Sequence, residues 1–213
     1  KDNNLTEMRD LYNQSVEKLV FLFFPLTIFL ILVAEPLILT MFTEKFEDAV
    51  PIFTIYMILL PTYPFRIGWI LMASGQTKFL LRLAILMSTI NIFLSYYLIT
   101  TLEGENRLFG IPFATVTVTW LSMFLICYQS ISTLQLKISE VYPWKKIFSI
   151  IVISLLAGIP VIALLSLNLS DILLLIGSSV VYGLIFLYAT YKLDIWGESE
   201  LKLFNSFWNL KNS

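Results

Sequence analysis

The chain has 213 residues, of which 58% are hydrophobic, 15% aromatic and only 14% charged, with a net charge of −1. That balance excludes a nucleic-acid surface, and the long uncharged runs mark an integral membrane protein rather than a water-soluble domain. With no histidine and a single cysteine, Cys127, the chain offers neither an internal disulfide nor a cysteine-based metal cluster.

Residues 1–19 are polar and lack the short apolar core and small-residue cleavage site of a secretory signal. Because the first residue is Lys1, the chain reads as a piece of a longer protein that starts inside a cytosolic segment. Leu5, Met8, Tyr12, Val16 and Leu19 recur at intervals of three and four, which predicts an amphipathic linker helix at the membrane surface. Asn4 and Glu7 have the spacing of a capping box for it.

Six apolar runs follow. The first covers 20–42 and carries Pro25, Glu35 and Pro36; the second covers 50–73 and carries Pro51, Pro61, Pro64 and Arg66. The third is 83–101 with Asn91, the fourth 110–134, the fifth 147–165 with Gly158 and Pro160 interrupting it, and the sixth 172–190. Each is long enough to cross a hydrocarbon core of ~30 Å. The expected fold is therefore all-α, a polytopic membrane helix bundle with six transmembrane helices. It divides into a linker helix (1–19), four helices (20–134), a cytosolic interfacial loop (135–146), two additional helices (147–190) and a cytosolic tail (191–213) whose Phe204, Phe207 and Trp208 recur at helical spacing.

Basic residues set the orientation. Lys1, Arg9, Lys18, Lys78, Arg82, Lys137, Lys145, Lys146, Lys192, Lys202 and Lys211 fall on one side of these runs. The other side has only Lys45 and Arg107, against Glu44, Glu47, Asp48, Glu103, Glu105 and Asp171. Both ends are therefore expected in the cytosol, with the chain crossing the inner (cytoplasmic) membrane several times. The prolines of the spans, together with the small pair Ser179 and Gly183 expected to pack closely on another helix, point to a bundle with broken helices of the kind transporters use.

Arg66 is the residue most in need of a reason, because a cation in hydrocarbon is costly. Counted back from Ala73 at the helical rise, it lies about 10 Å inside the membrane. Two readings stand: the side chain snorkels to the inner headgroups, or it faces a cavity and holds a phosphate or carboxylate with its planar fork. Asn91 falls at the same level, where it either lines a polar lumen or makes a helix-to-helix hydrogen bond. Glu35 lies roughly 13 Å higher by the same rise, so it is no salt-bridge partner. It serves either a kinked helix or the outer mouth of a cavity, where it could bind a coupling ion. Tyr63 is one of several aromatic residues that could stack on a sugar ring, although most of these are better explained by packing and interfacial belts. There is no catalytic constellation: no histidine base, no paired intramembrane carboxylates, and no base beside Thr115, Thr117 or Thr119. The chain is expected not to be an enzyme, and to use no metal and no cofactor.

The order of motifs carries a resemblance. Glu35-Pro36-Leu37-Ile38-Leu39-Thr40-Met41-Phe42 is followed by Phe46, Ala49 and Pro51-Ile52-Phe53, then by the Arg66 run ending Leu71-Met72-Ala73-Ser74-Gly75-Gln76-Thr77-Lys78. Asn91, Tyr97-Leu98-Ile99, Phe109-Gly110-Ile111 and Ala114-Thr115 come after. Over residues 5–134 this resembles the C-terminal half of the polysaccharide-transporter branch of the multidrug/oligosaccharidyl-lipid/polysaccharide exporter superfamily, which contains the O-antigen and capsule flippases. The resemblance implies a two-lobed transporter of about fourteen helices, of which this chain holds the last four of the second lobe and an appended pair. It further implies export of a lipid-linked oligosaccharide on polyprenyl pyrophosphate by alternating access, for surface polysaccharide biosynthesis. Arg66 would then meet the pyrophosphate, with Asn91 and Tyr63 near the sugars. Implied partners are membrane lipid, the missing N-terminal lobe and a polysaccharide polymerase. A multidrug/cation antiporter of the same superfamily is the nearest alternative, and a non-transporting subunit of a polysaccharide-assembly complex is another. The chain departs from the family where Phe113 and Thr115 replace small residues, which puts close packing there in question, and where Thr43 replaces the glycine after Phe42.

Overall fold

The computed structural model describes residues 2–66, 68–134, 142–167, 169–193 and 195, with the backbone alone for 2–11 and 134. Most of the interfacial loop and nearly all of the tail with Phe204, Phe207 and Trp208 lie outside this description; the expected capping box is not where the helix starts, since α1 already runs from Asp2 and Asn4 lies inside it. Every described element is helical: α1 (Asp2–Leu32), α2 (Ala34–Phe42), α3 (Ala49–Met57), α4 (Gly68–Ala73), α5 (Thr77–Thr101), α6 (Arg107–Leu134), α7 (Trp144–Leu165) and α8 (Asp171–Lys192). Three 3-10 turns, Glu44–Phe46, Leu60–Phe65 and Gly104–Asn106, join some of them.

Among the described residues five helices are long and apolar enough to cross a membrane: Tyr12–Leu32, Thr77–Thr101, Gly104–Thr133, Trp144–Leu165 and Asp171–Lys192. The molecule is a multi-pass helical bundle. The second of the six expected spans is not one helix. It is α3, the 3-10 turn Leu60–Phe65 and α4 in succession, because Pro61 and Pro64 remove two backbone donors within four residues and leave no α-helical ladder to continue. The other prolines break less than expected. α7 runs unbroken through Gly158 and Pro160, and α6 through Pro112. α1 continues through Pro25, whose carbonyl accepts a hydrogen bond from the Tyr182 hydroxyl at 3.0 Å. At Glu35-Pro36 the first span only hesitates, with one turn residue, Val33, between α1 and α2.

The helices form two groups. α1, α7 and α8 pack side by side, with α2 against α8. Val16 and Val20 of α1, Ile150, Ala157 and Val161 of α7, and Tyr182 and Phe186 of α8 supply the centre of the main core. The apolar stripe expected to lie on the membrane surface therefore meets protein from Tyr12 onward. Gly158 lets α7 approach α1: a Cβ there would stand 2.8 Å from Leu32 Cδ1. Glu17 of α1 and Lys146 of α7 add an ion pair of 2.6 Å.

The second group is the antiparallel α5–α6 hairpin, with a small core of Leu83, Met87 and Val118. Its close approach is at Gly110, where a Cβ would sit 3.2 Å from the Ile99 backbone nitrogen. Gly110 and Ala114, one turn apart, are both buried, whereas Phe113 points outward at 50% exposure. Packing at this end is thus tight despite Phe113 and Thr115. The small pair expected at Ser179 and Gly183 makes no such contact, since a Cβ at Gly183 would meet nothing within 4 Å. The broken segment α3–α4 lies between the groups, touching α1 through its 3-10 turn and α6 along its whole length.

Candidate functional site

The break is held open by α6. A 3-10 turn leaves carbonyls that an α-helix would have paired, and buried carbonyls need donors. The Trp120 indole nitrogen donates to the Ile58 carbonyl at 3.1 Å, and the Cys127 thiol donates to the Phe65 carbonyl at 3.0 Å. Trp120 and Cys127 are seven residues apart, two turns of α6, so both fall on the face that meets the break. Tyr142 supports the second contact: its hydroxyl lies 3.3 Å from Cys127 Sγ, and its ring meets Phe65 edge-on. Burial pushes the Tyr142 hydroxyl far above the ordinary tyrosine value, and Tyr12 and Cys127 beside it act in the same direction. It remains a neutral hydrogen-bonding group. Beyond α4 the Gln76 amide donates to Thr133 Oγ1 at 2.8 Å and accepts from Gln129 Nε2 at 2.9 Å, pinning the turn after α4 to α6.

Between the break and α1 lies a pocket of about 370 Å³, at the small end of the ~300–1,000 Å³ range of small-molecule sites. α1 lines it with Tyr12, Ser15, Val16 and Leu19, one helical face; the break contributes Tyr63, Pro64, Arg66 and Trp69. Arg66 ends the 3-10 turn, its backbone N–H donating to the Tyr63 carbonyl at 3.3 Å. Its guanidinium lies over the Tyr63 ring, 4.7 Å from the centroid, and that ring is stacked on Phe23 of α1 at 5.2 Å and 16°. Among the described residues no carboxylate lies within ion-pair distance of Arg66. The pocket is at the end of the bundle where Tyr12, Trp69, Tyr142 and Trp144 collect, with Tyr12 in ring contact with Trp69 and Tyr142.

The structure thus brings Arg66 and Tyr63 together and leaves the other two candidates elsewhere. Asn91 is in the α5–α6 seam, its Nδ2 donating to Thr115 Oγ1 over a long 3.4 Å. Glu35 is exposed in the first turn of α2, and neither residue lines the pocket. A depth count along an unbroken helix does not hold for Arg66, because the chain leaves α-helical geometry at Ile58. Sequence reasoning missed Trp120, Cys127 and the α1 wall of the pocket. The seven-residue spacing of Trp120 and Cys127, equal to that of Ile58 and Phe65, was the available signal.

In comparisons with known proteins, a family model described as polysaccharide biosynthesis protein matches residues 1–51. No curated protein matches the chain, and no solved structure does. Together with its membrane-length helices, the match makes this a multi-pass membrane protein similar, over α1, α2 and the start of α3, to proteins of polysaccharide biosynthesis.

Proposed function

We propose that the protein is a flippase: it moves a lipid-linked oligosaccharide, carried on polyprenyl pyrophosphate, across the inner membrane by alternating access, and performs transport without covalent chemistry. The observation that carries this reading is Arg66 at the wall of a pocket, on a broken helix, with no carboxylate neutralising it among the described residues. Arg66 is exposed, so its charge is open to a ligand in the pocket, and cations on the cavity wall of a membrane bundle mark the path of an anionic substrate. A guanidinium suits phosphate oxygens because its planar fork binds two of them at once.

The position of the pocket supports the same reading. It lies at the end of the bundle that carries Lys18, Lys78, Arg82, Lys145, Lys146 and Lys192, the end the positive-inside rule puts in the cytosol, where such a substrate is loaded. The cation-antiporter alternative needs a carboxylate for its coupling ion; Glu35 is the candidate in this chain, and it stands apart from the pocket that Arg66 lines. Arg66→Ala in the intact protein is expected to abolish surface-polysaccharide assembly while the protein still inserts normally. Full polysaccharide assembly in that variant would end the assignment of Arg66 to the substrate.

A further inference from the structure

Tyr63 has two partners at its ring, and this changes what it can do. Phe23 stacks on its ring at 5.2 Å and 16°, and the Arg66 guanidinium lies over the ring at 4.7 Å. We infer that Tyr63 is a positioning residue for Arg66 and not a sugar-stacking platform: the Phe23–Tyr63–Arg66 stack holds the guanidinium face-on so that its N–H edge meets the phosphate oxygens of the substrate. This rests on the reading of Arg66 as the group that binds the pyrophosphate.

The geometry of the break makes the stack. In a 3-10 turn residues i and i+3 eclipse each other, so the turn Leu60–Phe65 carries Arg66 directly over Tyr63. In a continuous α-helix the same two residues would be about 60° apart around the axis, since each residue turns by about 100°. Pro61 and Pro64 enforce the tighter turn, and Pro64 is itself buried. Trp120 and Cys127 of α6 hold its carbonyls from the other side. Phe23 then fixes the ring from α1, so the direction of the cation is set by three elements at once.

The proposed face-on arrangement also suits the chemistry. A guanidinium over an aromatic ring uses its face, and all five N–H donors remain in its plane, available to oxygen acceptors. Among the described residues no acceptor hydrogen-bonds these donors. A long side chain otherwise free to snorkel is thereby kept at the pocket wall, which lowers the ordering cost of binding an anion.

The test uses the full-length protein in alkyl maltoside micelles, which carry no phosphate, with inorganic pyrophosphate as the probe and its Kd read by titration. Tyr63→Phe and Tyr63→Trp keep a ring under the cation and are expected to bind within about twofold of wild type. Tyr63→Leu and Phe23→Leu are expected to bind about three- to fivefold more weakly, the size of one exposed cation–π contact. Arg66→Ala is expected to lose binding. If Tyr63→Leu binds as tightly as wild type while Arg66→Ala does not bind, the stack is overturned and the anion site stands. If Tyr63→Phe weakens binding as much as Tyr63→Leu, the hydroxyl rather than the ring is used, and the stack is again overturned. If Arg66→Ala binds like wild type, or wild type does not bind pyrophosphate, the anion reading itself fails.

Discussion

The α1–α7–α8 unit and the α5–α6 hairpin are built from the same apolar residues and bury them very differently. In α7, 39% of the most apolar stretch is buried, in α5 only 11%. The first unit interleaves side chains from three helices around Ile150, Ala157 and Val161, none more than 1% exposed. The hairpin has one seam, closed at Gly110, and turns Leu86, Phe93 and Tyr97 outward. Lipid is as apolar as leucine, so the contrast does not measure hydrophobicity. It measures where helix meets helix, since packing rather than transfer from water stabilises contacts inside a membrane. The break sits between the two groups, where a rigid unit faces one with a single seam, and it carries the cation.

The contrast can be broken most directly by cavities. Ile150→Ala, at the centre of the three-helix unit, is expected to cost about 2–5 kcal/mol of unfolding free energy, while Phe93→Ala on the outer face of α5 costs under about 0.5 kcal/mol. Unfolding of both variants in mixed micelles measures this. An equal loss at Phe93 would mean that protein rather than lipid covers that face.

The seam gives the next effect. Gly110→Val forces a side chain against the backbone of Ile99, which cannot yield as a flexible side chain does, and should cost about 1–3 kcal/mol. Gly183→Ala, with open space around it, should leave thermal stability unchanged. A destabilised Gly183→Ala would restore the Ser179–Gly183 pair as a contact surface.

The smallest effect runs the other way. Thr43, at the end of α2, has φ 79° and ψ 166°, a conformation essentially reserved for glycine. Thr43→Gly relieves that strain, less the extra entropy glycine loses on folding, and should raise stability by about 1 kcal/mol. A thermal melt that does not rise would place the strain relief elsewhere in the loop.

Much of this was legible in the chain. The all-helical class, the run lengths and Arg66 as the anomalous charge all follow from composition and spacing. Thr43 was visible too, as a residue standing where a glycine is expected, and its positive φ gives the physical meaning. Other features were not legible because they depend on which residue lies opposite. Asn91 had two readings, a polar lumen or a helix-to-helix hydrogen bond, and its partner Thr115 came into view only across the α5–α6 seam. Tyr63 looked like a free aromatic until Phe23 and Arg66 were found against its ring. Glu35 was placed by the fold in the first turn of α2, exposed and apart from the pocket around Arg66.

By itself the sequence determined that helices of membrane length would form, where charge gathers at their ends, and where prolines strain the ladder. Those properties belong to runs of neighbouring residues, which local periodicity and hydration govern. Only the tertiary structure decided which groups meet the carbonyls that the break around Pro61 and Pro64 leaves open. The reason is that a freed carbonyl survives in a dry interior only if some donor reaches it. The donors here, Trp120 and Cys127, come from a helix some sixty residues further along the chain.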